Sequence, residues 1–230
     1  MKVGVIGKRL LCASEFVRQD AYLADIGTDH AYLPLFLLDS GRIKRAVCTD
    51  INPAPLASAT RNAELYSHVD KIKFILTDGA VGLEGLGISD YTICGMGGEL
   101  IADIIERSPH LKVGGVRLIL QPMTKQAYLK RYLLASGFEL VGEAYAKDAG
   151  KFYITLVAEY DGVVRKISDL EAELGKIDSR ALSDEQSGFI KVKLAALNKA
   201  ARGKSKSEID DSYEAKIIRE YERIMGAKER

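Results

Sequence analysis

Cysteine is scarce in this 230-residue chain, and its three copies, Cys12, Cys48 and Cys94, are far apart. Such an odd, scattered set excludes a disulfide framework and offers no metal-ligand spacing, so no metal is expected. It fits reduced thiols in a cytoplasmic protein, and the apolar runs around Cys48 and Cys94 point to buried packing. Long apolar stretches are also missing. None approaches the roughly 18–20 residues that a membrane helix needs, and the amino terminus lacks the charged, apolar and small-residue order of a signal peptide. Nor does one sign of charge dominate, because 33 Lys and Arg face 32 Asp and Glu. The distribution says slightly more: Lys191 to Lys206 holds six basic residues and no acidic one. That stretch reads either as a solvated helix face or as a contact for a polyanion. Internal repeats and low-complexity tracts are absent.

A further absence concerns nucleotide binding. Met1-Lys-Val-Gly-Val-Ile-Gly7 starts like a dinucleotide fingerprint, but Lys8 and Arg9 stand where further glycines are needed. No acidic strand end follows at the right distance either, so the segment is discounted as a nucleotide site.

What is present is an alternation of strand and helix patterns through the first 160 residues. Strands are predicted at Tyr22–Ile26, Ala46–Asp50, Ile72–Leu76, Tyr91–Cys94 and Val116–Gln121. Helices are predicted at Lys8–Arg18, Tyr32–Asp39, Pro53–Tyr66, Glu99–Glu106 and Lys125–Ser136. This repeat predicts an α/β fold: a doubly wound, mostly parallel sheet covered on both faces. Phe138–Ala146 and Phe152–Tyr160 then form two strands separated by only Lys147–Lys151. Five residues cannot hold a crossover helix, so these strands pair as an antiparallel hairpin and complete a seven-stranded sheet. From Gly162 onward the pattern is helical, in Phe189–Leu197 and Ile209–Met225 with Gly203–Ser207 between them, and a shorter helix falls in Leu170–Ile177. The expected organisation is a Rossmann-like domain over 1–161 and a C-terminal helical coiled-coil hairpin over 162–230.

Candidate site residues sit at the carboxyl ends of the predicted strands, where open α/β sheets bind ligands. The first strand ends in Asp25-Ile-Gly27, followed by Thr28, Asp29 and His30 and then by a helix carrying Tyr32 and Pro34. Gly27 allows close approach of a ligand. Pro34 suits a first helical turn. Asp25 is placed to accept from an ammonium group, although Asp25 and Asp29 also suit turn and cap roles. Both acids would repel a pyrophosphate, and a zwitterionic, phosphate-free cofactor suits the loop better. Asp50, followed by Ile51 and Asn52, ends the second strand and lies 23 positions after Gly27. That is close to the roughly 20 expected of a carboxylate that binds ribose hydroxyls; the alternative is a cap on the next helix. Asp78 and Gly79 follow the third strand, where an acid can accept from an exocyclic amine. Gly95, Met96, Gly97 and Gly98 follow the fourth, leaving either a bare backbone wall beside a ligand or a tight turn.

Taken together, Asp25-Ile-Gly-Thr-Asp-His-Ala-Tyr-Leu-Pro34, Asp50-Ile-Asn-Pro53, Thr77-Asp-Gly79, Ile93-Cys-Gly-Met-Gly-Gly98 and Leu120-Gln-Pro122 resemble the bacterial tRNA (adenine-22-N1)-methyltransferases. The resemblance spans essentially the whole chain, with Thr28 standing where that family more often has serine. It implies a class I methyltransferase fold, S-adenosyl-L-methionine as cofactor and tRNA as substrate. Asp25, Gly27, Thr28, Asp50–Asn52, Asp78, Gly79 and Gly95–Gly98 would then hold the cofactor. Asp29, His30 and Tyr32 would form the catalytic group, and a monomer is expected. Arg42/Lys44/Arg45, Lys125/Lys130/Arg131 and Lys191–Lys206 are the cationic groups available for phosphates. Two other readings stay open: a nicotinamide-dependent oxidoreductase, opposed by the missing glycines and the terminal hairpin, and a non-catalytic RNA-binding protein.

Overall fold

The computed structural model describes residues 6–178, 181–202 and 212–226. In chain order the sheet-forming portion runs α1 (Lys8–Ser14), β1 (Tyr22–Ile26), α2 (Tyr32–Asp39), β2 (Arg45–Asp50), α3 (Pro53–Leu65), β3 (Ile72–Leu76), β4 (Asp90–Cys94), α4 (Gly98–Glu106), β5 (Arg117–Gln121), α5 (Gln126–Ala135), β6 (Phe138–Asp148) and β7 (Lys151–Tyr160). Among the described residues three further helices follow: α6 (Asp169–Leu174), α7 (Asp184–Arg202) and α8 (Tyr213–Gly226). The strands form one seven-stranded sheet of order β3-β2-β1-β4-β5-β7-β6. β1 to β5 are mutually parallel, and β7 pairs antiparallel with both β5 and β6.

Successive side chains of the central strands enter opposite cores, as strand geometry requires. Ala24, Val47, Leu118 and Leu120 join one cluster with Ile101, Ile105 of α4 and Leu129, Leu133 of α5. Leu23, Ala46, Cys48 and Ile119 join the other with Ala13 of α1, Leu33, Leu35 and Leu37 of α2 and Ala59, Ala63 of α3. Apolar residues on both faces are what a strand covered by helices on each side must have. The β3–β4 crossover contains no helix. Instead Ala80, Leu83 and Ile88 of this glycine-rich segment are buried in the first cluster and cover the sheet directly.

The hairpin is tighter than its sequence suggests. Pairing continues through Lys147↔Phe152 and Asp148↔Lys151, leaving a turn of Ala149 and Gly150. Both have positive φ, 45° and 77°, the backbone requirement of a type I′ turn. Beyond it, α7 extends well past the predicted Phe189–Leu197, because apolar spacing marks only the buried stripe of a helix. Hydroxyl caps define the starts instead: Ser168, Ser183 and Ser212 each accept from the backbone N–H three residues on, at 3.1, 3.1 and 3.2 Å. Leu170, Leu174, Ile190 and Ile217 bring α6, α7 and α8 into a small core of their own. The Gly203–Ser207 connection lies outside the described residues, as do Met1–Val5 of the discounted fingerprint. Among the described residues no helix is long and apolar enough to cross a membrane.

The helical appendage is fastened to the sheet in two ways. Phe189 of α7 is buried in the same core cluster as the hairpin residues Ile154 and Leu156, and its ring centroid lies 5.2 Å from that of Tyr145. Below it, Lys130 of α5 is 1% exposed and pairs with Glu143 of β6 at 2.5 Å, while Tyr145 donates to the same carboxylate. This removes Lys130 from the cations available for phosphates. Its ammonium is enclosed because α5 turns that face towards β6 and α6, where Glu143 meets it. Lys130→Met leaves Glu143 without its partner and is expected to cost about 3 kcal/mol in urea unfolding. The double variant Lys130→Met/Glu143→Leu should recover most of that loss.

Candidate active site

The carboxyl ends of β1 to β5 share one rim, and backbone hydrogen bonds fix the loops there. Gly27 and Thr28 both donate to the Thr49 carbonyl, at 2.8 and 2.9 Å, while the Thr49 hydroxyl donates to the Gly79 carbonyl at 3.0 Å. These contacts lock the β1, β2 and β3 loops together. Across the crevice, Met123 donates to the Met96 carbonyl and Gly98 to the Thr124 carbonyl, both at 2.8 Å. The β4 and β5 loops therefore move as one.

A cavity of about 200 Å³ opens between the start of α1, the loop from β1 into α2 and the end of β4, lined by Arg9, Asp25, Gly27, Thr28, Tyr32 and Cys94, among others. Gly27 lies on its floor at φ 72°, and a Cβ there would collide with the Met96 methyl group. Any side chain at this position would both strain the backbone and displace Met96. Asp25 is 8% exposed, and one carboxylate oxygen accepts from the Thr92 hydroxyl at 2.7 Å. Burial raises its pKa above the ordinary carboxylate value, an effect moderated by the nearby Thr28 and Thr92 hydroxyls and by the charge of Arg9. Although close to Asp25, the Thr28 hydroxyl makes no hydrogen bond of normal geometry and is buried without a partner. A buried, unspent hydroxyl beside a buried carboxylate is a site arranged for a polar ligand. Cys94 and Cys48 are held as neutral thiols, their pKa values pushed up by burial.

The other strand-end acids have different surroundings. One oxygen of Asp50 accepts from the Asn52 N–H at 2.7 Å, so it shapes the turn into α3. Ile51 is 63% exposed on the rim beside it. Asp78 is gripped by Arg107, at 2.8 and 3.3 Å, so a ligand amine there would share the carboxylate with a guanidinium. Gly97 and Gly98 face the β5 loop: a Cβ at Gly98 would lie 2.5 Å from the Lys125 carbonyl oxygen. Gly95 faces open space, with no atom within 4 Å of where a Cβ would stand.

Asp29, His30 and Tyr32 come together on the outer lip. His30 Nε2 lies 3.3 Å from Asp29 Oδ2, and the His30 and Tyr32 rings stack with centroids 5.1 Å apart. All three are accessible to solvent. Of the cationic groups, Arg42, Lys44 and Arg45 lie at the amino end of β2, the opposite edge of the sheet from this rim. Arg45 covers the Tyr22 ring there, and Lys44 pairs with Asp20. Lys204 and Lys206 lie outside the described residues.

Two positions beside this site, Thr92 and Arg9, are not among the residues that the sequence points to. Thr92 carries a signal, since it is a buried hydroxyl in the middle of β4 and pairs in register with Asp25. Arg9 was passed over because it follows a false fingerprint. Among the described residues no group of three or more His, Cys, Asp or Glu is arranged to hold a metal.

Comparison with known proteins agrees with this geometry. A methyltransferase domain model matches residues 6–156, which covers the whole rim. The tRNA (adenine(22)-N(1))-methyltransferase of Bacillus subtilis is 34% identical over 165 residues, 69% of each chain. The chain belongs to the tRNA (adenine-22-N1)-methyltransferase family. A Streptococcus pneumoniae protein, a candidate tRNA (m1A22) methyltransferase solved in complex with S-adenosyl-L-methionine, superposes with a TM-score of 0.82 at 35% identity. That match covers 94% of this chain and 99% of that one, so family members share the C-terminal helices too. The B. subtilis m1A22 tRNA methyltransferase structure gives 0.78 at 26% identity, covering 96% of both chains.

Two variants probe the rim. Gly98→Ala forces a methyl against the Lys125 carbonyl and is expected to destabilise by about 1–3 kcal/mol in chemical unfolding. Asp25→Asn removes a buried charge. Because the folded-state pKa of Asp25 is raised, its proton is bound more tightly folded than unfolded, and ionisation at neutral pH costs stability. Ligand-free Asp25→Asn should therefore melt above the parent at neutral pH. The gain should shrink as the pH falls into the carboxylate range, where the parent aspartate is itself protonated; calorimetry across pH checks both.

Proposed function

We propose that this protein transfers a methyl group from S-adenosyl-L-methionine to N1 of adenine 22 in tRNA, working in the cytoplasm as a monomer. The observation that carries the reading is the buried pair Asp25 and Thr28 beside Gly27, at the carboxyl end of β1, within a chain of this family. The residues present fit the cofactor. Asp25 keeps an oxygen for an ammonium group, Thr28 has an unspent hydroxyl, and Asp50 retains an oxygen for ribose hydroxyls. Gly79, Gly95, Met96 and the exposed Ile51 and Asn52 border the same rim, with Asp78 in reach of an exocyclic amine. No repeated-glycine cradle for a pyrophosphate is present, which disfavours a nicotinamide dinucleotide.

Bound S-adenosylmethionine supplies an electrophilic methyl group. Adenine N1 brings its own lone pair, so the chain needs no strong general base, and its residues align the base and exclude water. In this reading Asp29 accepts from the adenine N6 amine and orients His30, and Tyr32 supports the base plane with the Gly95–Gly98 loop. The target adenine must leave its stack at a cost of a few kcal/mol, which tRNA contacts elsewhere offset. We assign those contacts to the helical unit 162–230, with Lys191 and Lys199 exposed on α7.

Labelled methyl transfer to unmodified tRNA, with reverse-transcription stops mapping the product, tests the activity. The expected stop is at position 22, and a transcript with guanine there should accept no label. Asp29→Ala should keep cofactor affinity and lose at least tenfold in rate. Wild-type turnover by that variant would remove Asp29 from the catalytic group. Binding of tRNA without transfer would favour the non-catalytic reading instead.

A further inference from the structure

We propose that Arg9 is the anchor for the cofactor's carboxylate, so that Arg9 and Asp25 together recognise the zwitterionic amino-acid end; this rests on the cofactor reading above. Arg9, from α1, and Asp25, from the end of β1, line the same cavity. They feel each other's charge, since Arg9 favours the ionised form of Asp25, yet they form no ion pair. Opposite charges held apart across one cavity are complementary to a ligand that carries both.

The guanidinium is fixed but largely unspent. Its one side-chain hydrogen bond among the described residues runs from Nη1 to Gln121 Oε1 at 3.1 Å. Gln121 is itself fully buried at the end of β5, and its amide nitrogen donates to the Arg9 carbonyl at 2.8 Å and to Thr155 Oγ1 at 3.0 Å. The backbone N–H of Arg9 donates to Asp148 at 3.2 Å. A guanidinium has five N–H donors in a planar fork that matches a carboxylate. This one is oriented by a locked glutamine and retains most of them.

Topology sets which end of the ligand it meets. Along the rim the order is Asp78 after β3, Asp50 on β2, Asp25 on β1, the glycine loop after β4, then Gln121 on β5 with Arg9 attached. Strands are spaced by about 5 Å. A ligand with its ribose at Asp50 and its amine at Asp25 has its next group over β4 and β5. Three acids line the approach from the other side, and Arg9 is the cation that borders the cavity here.

Calorimetric titration of the full chain with S-adenosylhomocysteine, and with its decarboxylated analogue that keeps the amine, tests this. The parent should bind the decarboxylated analogue at least tenfold more weakly. Arg9→Gln should lose at least tenfold for S-adenosylhomocysteine, match the parent for the analogue, and scarcely distinguish the two ligands. Arg9→Lys, which keeps the charge without the fork, should fall between. Equal losses for both ligands would mean that Arg9 only supports the fold, and unchanged S-adenosylhomocysteine affinity would remove it from the site; either overturns the proposal. If the parent binds neither ligand, the cofactor reading itself fails and takes this proposal with it.

Discussion

The site exists because the chain reverses its direction of travel across the sheet after β3. From β1 it moves outwards through β2 to β3, then returns to lay β4 on the other side of β1. Loops from β1 and β4 thus leave the rim in opposite directions, and a crevice must open between them. Everything attributed to ligand binding stands around that gap. Asp25 and Gly27 form its floor, Met96 leans over it from β4, and the Thr49 carbonyl holds its left wall by accepting two N–H groups. A sheet wound in one direction only would carry the same residues without bringing Asp25 and the Arg9 that Gln121 holds to one cavity.

Stability and function oppose each other at Asp25. Its carboxylate is buried with one hydroxyl donor and a neighbouring, unpaired Thr28, an arrangement that an apolar core would not retain. The rest of the rim is overdetermined by comparison: parallel ladders, paired loops and close glycine contacts leave little freedom. Such a frame tolerates one costly group and holds it where a ligand can satisfy it. Lys130 and Glu143 show the contrasting solution, a buried charge given its partner within the protein.

The strand-helix alternation was legible because period and strand-end chemistry agreed; β1, β3 and α2 have the predicted bounds. Strand-end acids and Gly27 were visible for the same reason, since position on a parallel strand implies position on the rim. What escaped depends on contacts between distant segments. Nothing local to Lys130 distinguishes it from the exposed cations beside it; only the docking of α5 on β6 buries it. Arg45 looks like a phosphate ligand until the parallel order puts it at the wrong end of the sheet. Arg9 looks like part of a broken motif, and its meaning comes from Gln121, which is 112 positions away. The helical region showed its buried stripes but not its lengths, which serine caps and not apolar spacing determine.

The hydrogen bond from Arg9 to Asp148 joins groups 139 residues apart. At synthesis rates of about 5–20 residues per second, the partner emerges on the order of ten seconds after the arginine. Helix α1 is made first and packs through Ala13 beside α2, yet its Arg9 end is held only when β5 and the β6–β7 turn supply Gln121 and Asp148. One wall of the cavity is thus among the earliest parts of the chain to be made and among the last to be set. A nascent chain stopped before the hairpin would have the Asp25 loop and no closed site, so binding competence arrives only with nearly the whole sheet.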